Sequence, residues 1–143
     1  MALTYVDTSV LVALIVPEPK SAAVARWYGR TRAELVSAAW CATEFASALG
    51  IKQRTSQIDA SQAREAWQRF ERLAANDLAL LPLAAAVFSR AAALAFDAPS
   101  ALRAGDALHL AAAELAGVRS MATLDEVLGR NAERLKIKLV AFA

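Results

Sequence analysis

The 143-residue chain has one cysteine, one histidine, 5 glycines and 4 prolines, and each shortage excludes something. Cys41 alone cannot close an internal disulfide, so stability has to come from a packed core. With one thiol and one imidazole, His109, the chain lacks the soft ligands of a zinc centre. Sparse glycine and proline beside a hydrophobic share of 57% argue against disorder. No uninterrupted apolar run reaches the length of a membrane span; Leu78 to Ser89 is far too short, so no membrane contact is expected. The opening Met-Ala-Leu-Thr-Tyr lacks the basic and apolar regions of a signal peptide, which makes the cytoplasm the expected location. A net charge of +2 and a pI near 9.0 permit contact with nucleic acid without demanding it.

What is present is alanine, in helix-forming company, and short β-branched runs between the helical stretches. The length suits one domain, expected to cover residues 1–143. Leu3-Thr4-Tyr5-Val6 reads as a strand that delivers Asp7 at its carboxyl end, with Thr8 and Ser9 able to cap a helix from Val10 to Val16. Pro17-Glu18-Pro19 stops that helix, and a second one carries Val24, Trp27 and Tyr28, with Trp27 assigned to the core. Glu34 to Ser37 is the next strand, and Trp40 to Arg54 a long helix. After a loop at Ser56 to Ala60, Ala63 to Asn76 forms an amphipathic helix with Trp67, Phe70 and Leu73 on one face. Its many charges read as a solvated face.

Leu78 to Pro82 is a third strand, Ala84 to Phe96 another helix, and Asp97 to Ser100 a loop. Arg103 to Ala116 is helical with Gly117 as its stop, and Val118 to Ala122 is a strand. A turn at Thr123 to Glu126 leads through a short helix to a last strand, Lys136 to Val140. Strands alternating with helices indicate a parallel sheet covered on both faces, an α/β sandwich.

Four acids stand where such a sheet places chemistry. Asp7 and Asp125 follow strands, Asp106 lies in the first turn of a helix, and Glu44 lies one turn into its helix beside the apolar stripe of Cys41, Phe45, Ala48 and Leu49. In open α/β sheets ligands bind outside the carboxyl ends of the strands, where these four side chains can meet. Asp7 also has the simpler reading of a helix cap. If the four meet without a cationic partner, their repulsion raises their pKa values, and a divalent cation resolves it. Oxygen ligands suit Mg²⁺ or Mn²⁺, which would activate water against a phosphodiester.

The segments Val6-Asp7-Thr8-Ser9-Val10-Leu11, Ala42-Thr43-Glu44-Phe45-Ala46, Gly105-Asp106-Ala107-Leu108-His109-Leu110-Ala111-Ala112-Ala113 and Ala122-Thr123-Leu124-Asp125 resemble, in order and spacing, the PIN-domain nucleases, particularly VapC-type toxins. The resemblance implies a three-layer α/β/α sandwich with a parallel sheet of four or five strands. It implies a Mg²⁺- or Mn²⁺-dependent endoribonuclease that leaves 5′-phosphate and 3′-hydroxyl ends, forms a homodimer and is inhibited by a small VapB-like antitoxin. By this likeness Asp7, Glu44 and Asp106 match the three core acids and Asp125 the more variable fourth. Thr8 and Thr123 match supporting hydroxyls.

Arg103 either contacts an RNA phosphate or pairs with Asp106, and pairing is preferred; Lys52 and Arg54 are further candidates for positioning RNA. His109 follows Asp106 by three residues and is either an acid–base group or structural. Its place in the run Leu108 to Ala113 favours structure. Cys41 is read as a buried small hydrophobe and Glu114 as a solvent-facing group. Two other functions compete: a catalytically silent module of the same fold, and an aspartate-dependent phosphatase. Ser9 stands where one phosphatase family needs a second aspartate, which counts against the latter.

Overall fold

The computed structural model describes residues 2–143. Strands β1 (Leu3–Val6), β2 (Glu34–Ala38), β3 (Leu78–Leu81), β4 (Ser120–Ala122) and β5 (Lys138–Leu139) form one sheet in the order β3-β2-β1-β4-β5. Every pairing is parallel, with Tyr5 opposite Val36 on one side and Met121 on the other. The chain therefore starts in the middle of the sheet, builds outward through β2 and β3, then returns to the other side of β1. That reversal makes a crevice between the carboxyl ends of β1 and β4.

Among the described residues seven α-helices cover the sheet: α1 (Thr8–Ile15), α2 (Ser21–Arg30), α3 (Trp40–Arg54), α4 (Ala60–Asn76), α5 (Ala85–Phe96), α6 (Ala104–Leu115) and α7 (Glu126–Arg134). Successive strand residues serve opposite faces, as a two-residue period requires. Tyr5, Val36, Ala38 and Met121 face the core made by α5, α6 and α7. Val6, Leu78 and Ala122 face the core made by α1 to α4. Two cores from one short chain account for its apolar composition, and Trp27 is buried in the second as expected. The alanines of α6, Ala107, Ala111 and Ala113, are fully buried and let this helix lie close against its neighbours.

The sandwich and its parallel sheet agree with the expectation, while several boundaries move for local reasons. Asp7, not Thr8 or Ser9, caps the first helix, which starts at Thr8. Asp59 and Gln62 form a reciprocal capping box, so α4 begins at Ala60, three residues earlier than its apolar pattern suggests. Ala98–Ser100 within the anticipated loop is a turn of 3₁₀ helix. Gly117 stops α6 in the left-handed region at φ +67°. Val118 is buried but precedes β4, and Lys136 at φ +66° turns the chain, delaying β5 to Lys138.

The core under α3 and α4 is aromatic. Phe45, fully buried, stacks on Phe70 at 4.7 Å between ring centroids, and Phe70 stacks on Trp67 at 5.2 Å. Phe45→Ala should lower unfolding free energy by about 3–5 kcal/mol, through lost burial and the cavity left behind. Phe96→Ala, at a side chain 91% exposed, should change it by less than about 0.5 kcal/mol. Urea denaturation of both variants checks the contrast; similar losses would mean that the packing assigned to Phe45 is wrong.

Candidate acid site at the carboxyl edge of the sheet

Asp7 stands at the tip of β1, 4% exposed, and both oxygens of its carboxylate are hydrogen-bonded. Oδ1 accepts from Ser9 Oγ at 2.6 Å and from the Val10 N–H at 3.4 Å; Oδ2 accepts from Thr123 Oγ1 at 2.8 Å. The two hydroxyls are themselves held from the β4 side, Ser9 by the Leu124 N–H and Thr123 by the Asp125 N–H. The backbone N–H of Asp7 donates to Ala122 O at 3.1 Å. Capping and site-building are thus not alternatives for Asp7. Burial raises its pKa, and the bonds from Ser9 and Thr123 oppose that rise.

Glu44 reaches the same crevice from α3. Its Oε1 accepts from Thr8 Oγ1 at 2.6 Å and from Nε2 of His109. Half-burial pushes its carboxyl up, but the bonds from His109 and Thr8 outweigh burial and hold it below its usual value. The Trp40 Nε1–H stands beside the carboxylate and also favours its charge, although it is buried without a bond of good geometry. Gly105 makes room for Glu44: a Cβ there would fall 3.0 Å from Oε2 and 3.2 Å from Trp40 Nε1.

Asp106 lies in the first turn of α6, and its carboxyl is raised from 3.8 to about 6. Burial is the chief cause; the charges of Asp125, Asp7 and Glu44 add to it. The fold therefore brings all four predicted acids within electrostatic reach. Asp125 caps α7, accepting from the Leu128 N–H at 2.8 Å, while its neighbour Glu126 is exposed.

Thr8 Oγ1 donates to Glu44 and Thr123 Oγ1 to Asp7, so each of the two hydroxyls holds a different acid. Tyr5, Ser9 and Trp40 are site neighbours that the sequence reading missed. Ser9 was legible as a hydroxyl two residues past an acid. Nothing local connects Tyr5 to a histidine 104 positions away.

Several basic residues behave otherwise than expected. Arg103 is exposed and makes no ion pair with Asp106 among the described residues, so the preferred pairing does not form. Lys52 is buried and paired with Glu18 at 2.8 Å, which removes it from the candidates for RNA contact. Arg54 stays exposed at the end of α3. Glu114 is paired with Arg90 at 2.5 Å rather than turned to solvent alone. Cys41 is fully buried, as read.

The donor set fits a hard divalent cation. Asp7, Asp106 and Asp125 have no salt-bridge partner among the described residues, and every ligand atom they offer is oxygen. As the side chains stand, no group of three or more His, Cys, Asp and Glu among the described residues is gathered tightly enough to hold a metal. Mutual repulsion opposes that gathering until positive charge arrives.

The shifted Asp106 has a consequence for stability. Between about 4 and 6 the folded chain keeps a proton that the unfolded chain has released, so stability falls as pH rises through that window. Asp106→Asn removes the titrating group. In EDTA at pH 8 it should raise unfolding free energy by about 1 kcal/mol, a value reduced for solvent screening at a half-exposed group, and the melting midpoint by about 3 °C. Near pH 4 the gain should vanish. Melting curves at both pH values decide it, and a destabilised variant at pH 8 would contradict the repulsion inferred for this cluster.

Comparison with curated proteins finds no match. Solved structures do match in fold. VapC20 of Mycobacterium tuberculosis, a toxin that cleaves the sarcin–ricin loop, superposes with a TM-score of 0.73 at 13% identity, over 90% of this chain and 94% of its own. FitAcB of Neisseria gonorrhoeae gives 0.69 at 18% identity over 96% of each chain. A toxin–antitoxin complex from Klebsiella pneumoniae gives 0.57 at 18% identity over 87% of each. The family model of the PIN domain matches residues 4–134, from β1 through α7 and all four acids, and the chain belongs to that family.

Proposed function

We propose that this chain is a metal-dependent endoribonuclease and the toxin of a toxin–antitoxin pair, working as one nuclease domain over residues 1–143. The observation that carries the reading is Asp106, whose carboxyl is held up to about 6 by burial and by three neighbouring acids. A site built to accumulate negative charge at a sheet's switch point is built for a cation. Family membership supports nuclease chemistry, and the likeness to VapC20, a toxin that cleaves the sarcin–ricin loop, supports RNA as the substrate.

Asp7, Glu44 and Asp106 would hold Mg²⁺ or Mn²⁺, with Asp125 assisting. The cation, when bound, supplies positive charge at the phosphate and acidifies water. The residues of the chain do the rest. The Ser9, Thr123 and Val10 donors fix Asp7 and oppose the rise that burial imposes on its carboxyl. Thr8 does the same for Glu44. Asp106 has to give up the proton that burial and its acidic neighbours favour before it can serve as a ligand, so activity should rise with pH through the acid range. In the hydrolysis itself a water oxygen bonds to phosphorus while the bond to O3′ breaks, the proton passing to O3′. That leaves a 5′-phosphate and a 3′-hydroxyl. Exposed Arg103 and Arg54 are the cations left to position the RNA backbone.

The antitoxin has a place to bind. A groove of about 700 Å³ between α1 and α3 is lined by Val12, Ala13, Trp40, Ala48 and Ile51, and ends at Thr8 and Glu44. An apolar helical segment laid in it would close the approach to the acids. The Klebsiella pneumoniae complex supports such a partner. Phe88 and Phe96 on α5 are exposed and support a homodimer. No helix among the described residues is long and apolar enough to cross a membrane.

Purified protein free of antitoxin should cut structured RNA with Mg²⁺ or Mn²⁺ and not with EDTA. Asp106→Asn should slow cleavage by at least about 100-fold, since a lost ligand removes both charge and alignment. Single-turnover cleavage of end-labelled RNA measures it. Metal-independent cutting, or an Asp106→Asn variant as fast as the parent, would reject this assignment.

A further inference from the structure

The sole histidine is buried at 1% exposure, yet it is not surrounded only by apolar groups. Its Nδ1 lies 2.6 Å from the Tyr5 hydroxyl, and its Nε2 meets Glu44 Oε1. The Tyr5 oxygen already accepts the Ala38 N–H at 3.1 Å, which leaves the phenol its own proton to donate. Nδ1 at 2.6 Å is the closest hydrogen-bond partner of the phenol, and giving it that proton makes Nδ1 the bare nitrogen of the ring. The partners thus assign the proton to Nε2, pointed at Glu44. An N–H on β2, through the phenol on β1 and the imidazole on α6, is aimed at an acid on α3.

Oε1 also takes the Thr8 hydroxyl, so both of its acceptor directions are used. Oε2 is left with only the Trp40 indole beside it, in the space opened by Gly105 next to Asp106. We propose that His109 is a positioning residue: with Tyr5 fixing its tautomer, it ties down Oε1 of Glu44 and leaves Oε2 as the single oxygen that Glu44 offers a divalent cation.

This inference rests on the acid-site reading above and deepens it. A buried histidine serving only the core would affect folding, whereas one that orients a ligand affects metal affinity, commonly by 10- to 100-fold when such a partner is lost. Two substitutions separate the roles. His109→Gln keeps an amide donor where Nε2 stands; His109→Asn keeps one near Nδ1 and loses the reach to Glu44.

The experiment is titration of the full chain with Mn²⁺ by calorimetry at pH 7.5, with melting curves of each variant. We expect His109→Asn to weaken Mn²⁺ binding about tenfold and His109→Gln to stay within about threefold of the parent. Tyr5→Phe, which frees the tautomer, should fall between them. Equal affinities for parent, Asn and Gln variants would overturn the positioning role while leaving the acid site standing. Losses in both variants that track their melting midpoints would assign His109 to the core alone. A parent chain that binds no Mn²⁺ would instead overturn the acid-site reading, and this inference with it.

Discussion

Asp7 is a carboxylate at the centre of the sheet with almost no access to water, and such a group stays ionised only if its oxygens are hydrogen-bonded. The donors come from two directions. Ser9 and the Val10 N–H belong to the helix that Asp7 itself caps, and Thr123 comes from the end of β4. Ser9 in turn receives the Leu124 N–H, so the two strand ends are laced together around one acid. Remove the acid and the hydroxyls lose their common acceptor. The crevice between β1 and β4 is therefore a consequence of sheet order, but its closure around a charge is the work of this clasp.

Glu44 is held by a different kind of arrangement. Its partners are a threonine at the start of α1 and a histidine midway along α6, and the histidine depends on a phenol in β1. Tyr5 and Ala38 face the α5–α7 core, so the chain of bonds from Ala38 to Glu44 runs along that face and reaches α3 at the carboxyl edge of the sheet. Both acids with well-satisfied oxygens are thereby fixed to the central strand. Asp106 and Asp125 are not. Asp125 has a cap bond to Leu128, and the Asp106 carboxyl is raised by burial and by the charges of its acidic neighbours. The site combines two anchored carboxylates with two looser ones, which lets it close on a cation without having to pay for four fixed charges beforehand.

How much of this could be read in advance depended on distance along the chain. The alternation of short β-branched runs with helical stretches gave the sandwich, because a two-residue strand period and the helix period are local properties. Asp7 was visible for the same reason: an acid directly after a strand, followed by hydroxyls. The start of α4 escaped because its capping residues are polar and precede the apolar stripe. Lys136 and the short β5 escaped because backbone handedness at a non-glycine leaves no compositional mark. The preferred Arg103–Asp106 pair failed for a geometric reason, since one helical turn of spacing does not settle which way a long exposed side chain points. Lys52 misled similarly, its partner Glu18 lying 34 positions away beyond a proline break.

His109 shows where a local pattern gives half an answer. Its position among alanines and leucines on α6 correctly indicates burial, and burial invites the conclusion that the ring is filler. An imidazole, however, brings two nitrogens that must be satisfied wherever it is buried, so the question for a lone buried histidine is what receives its N–H. Here the receiver is an acid of the site, because α3 and α6 approach each other across the carboxyl edge of the sheet where Gly105 has no side chain to hold them apart. Close approach at Gly105, burial of His109 and the low-lying carboxyl of Glu44 are three expressions of the same contact. A larger residue at position 105 would press on Oε2, the oxygen that His109 does not touch, so the same helix that supplies Asp106 also limits how far Glu44 can move toward it.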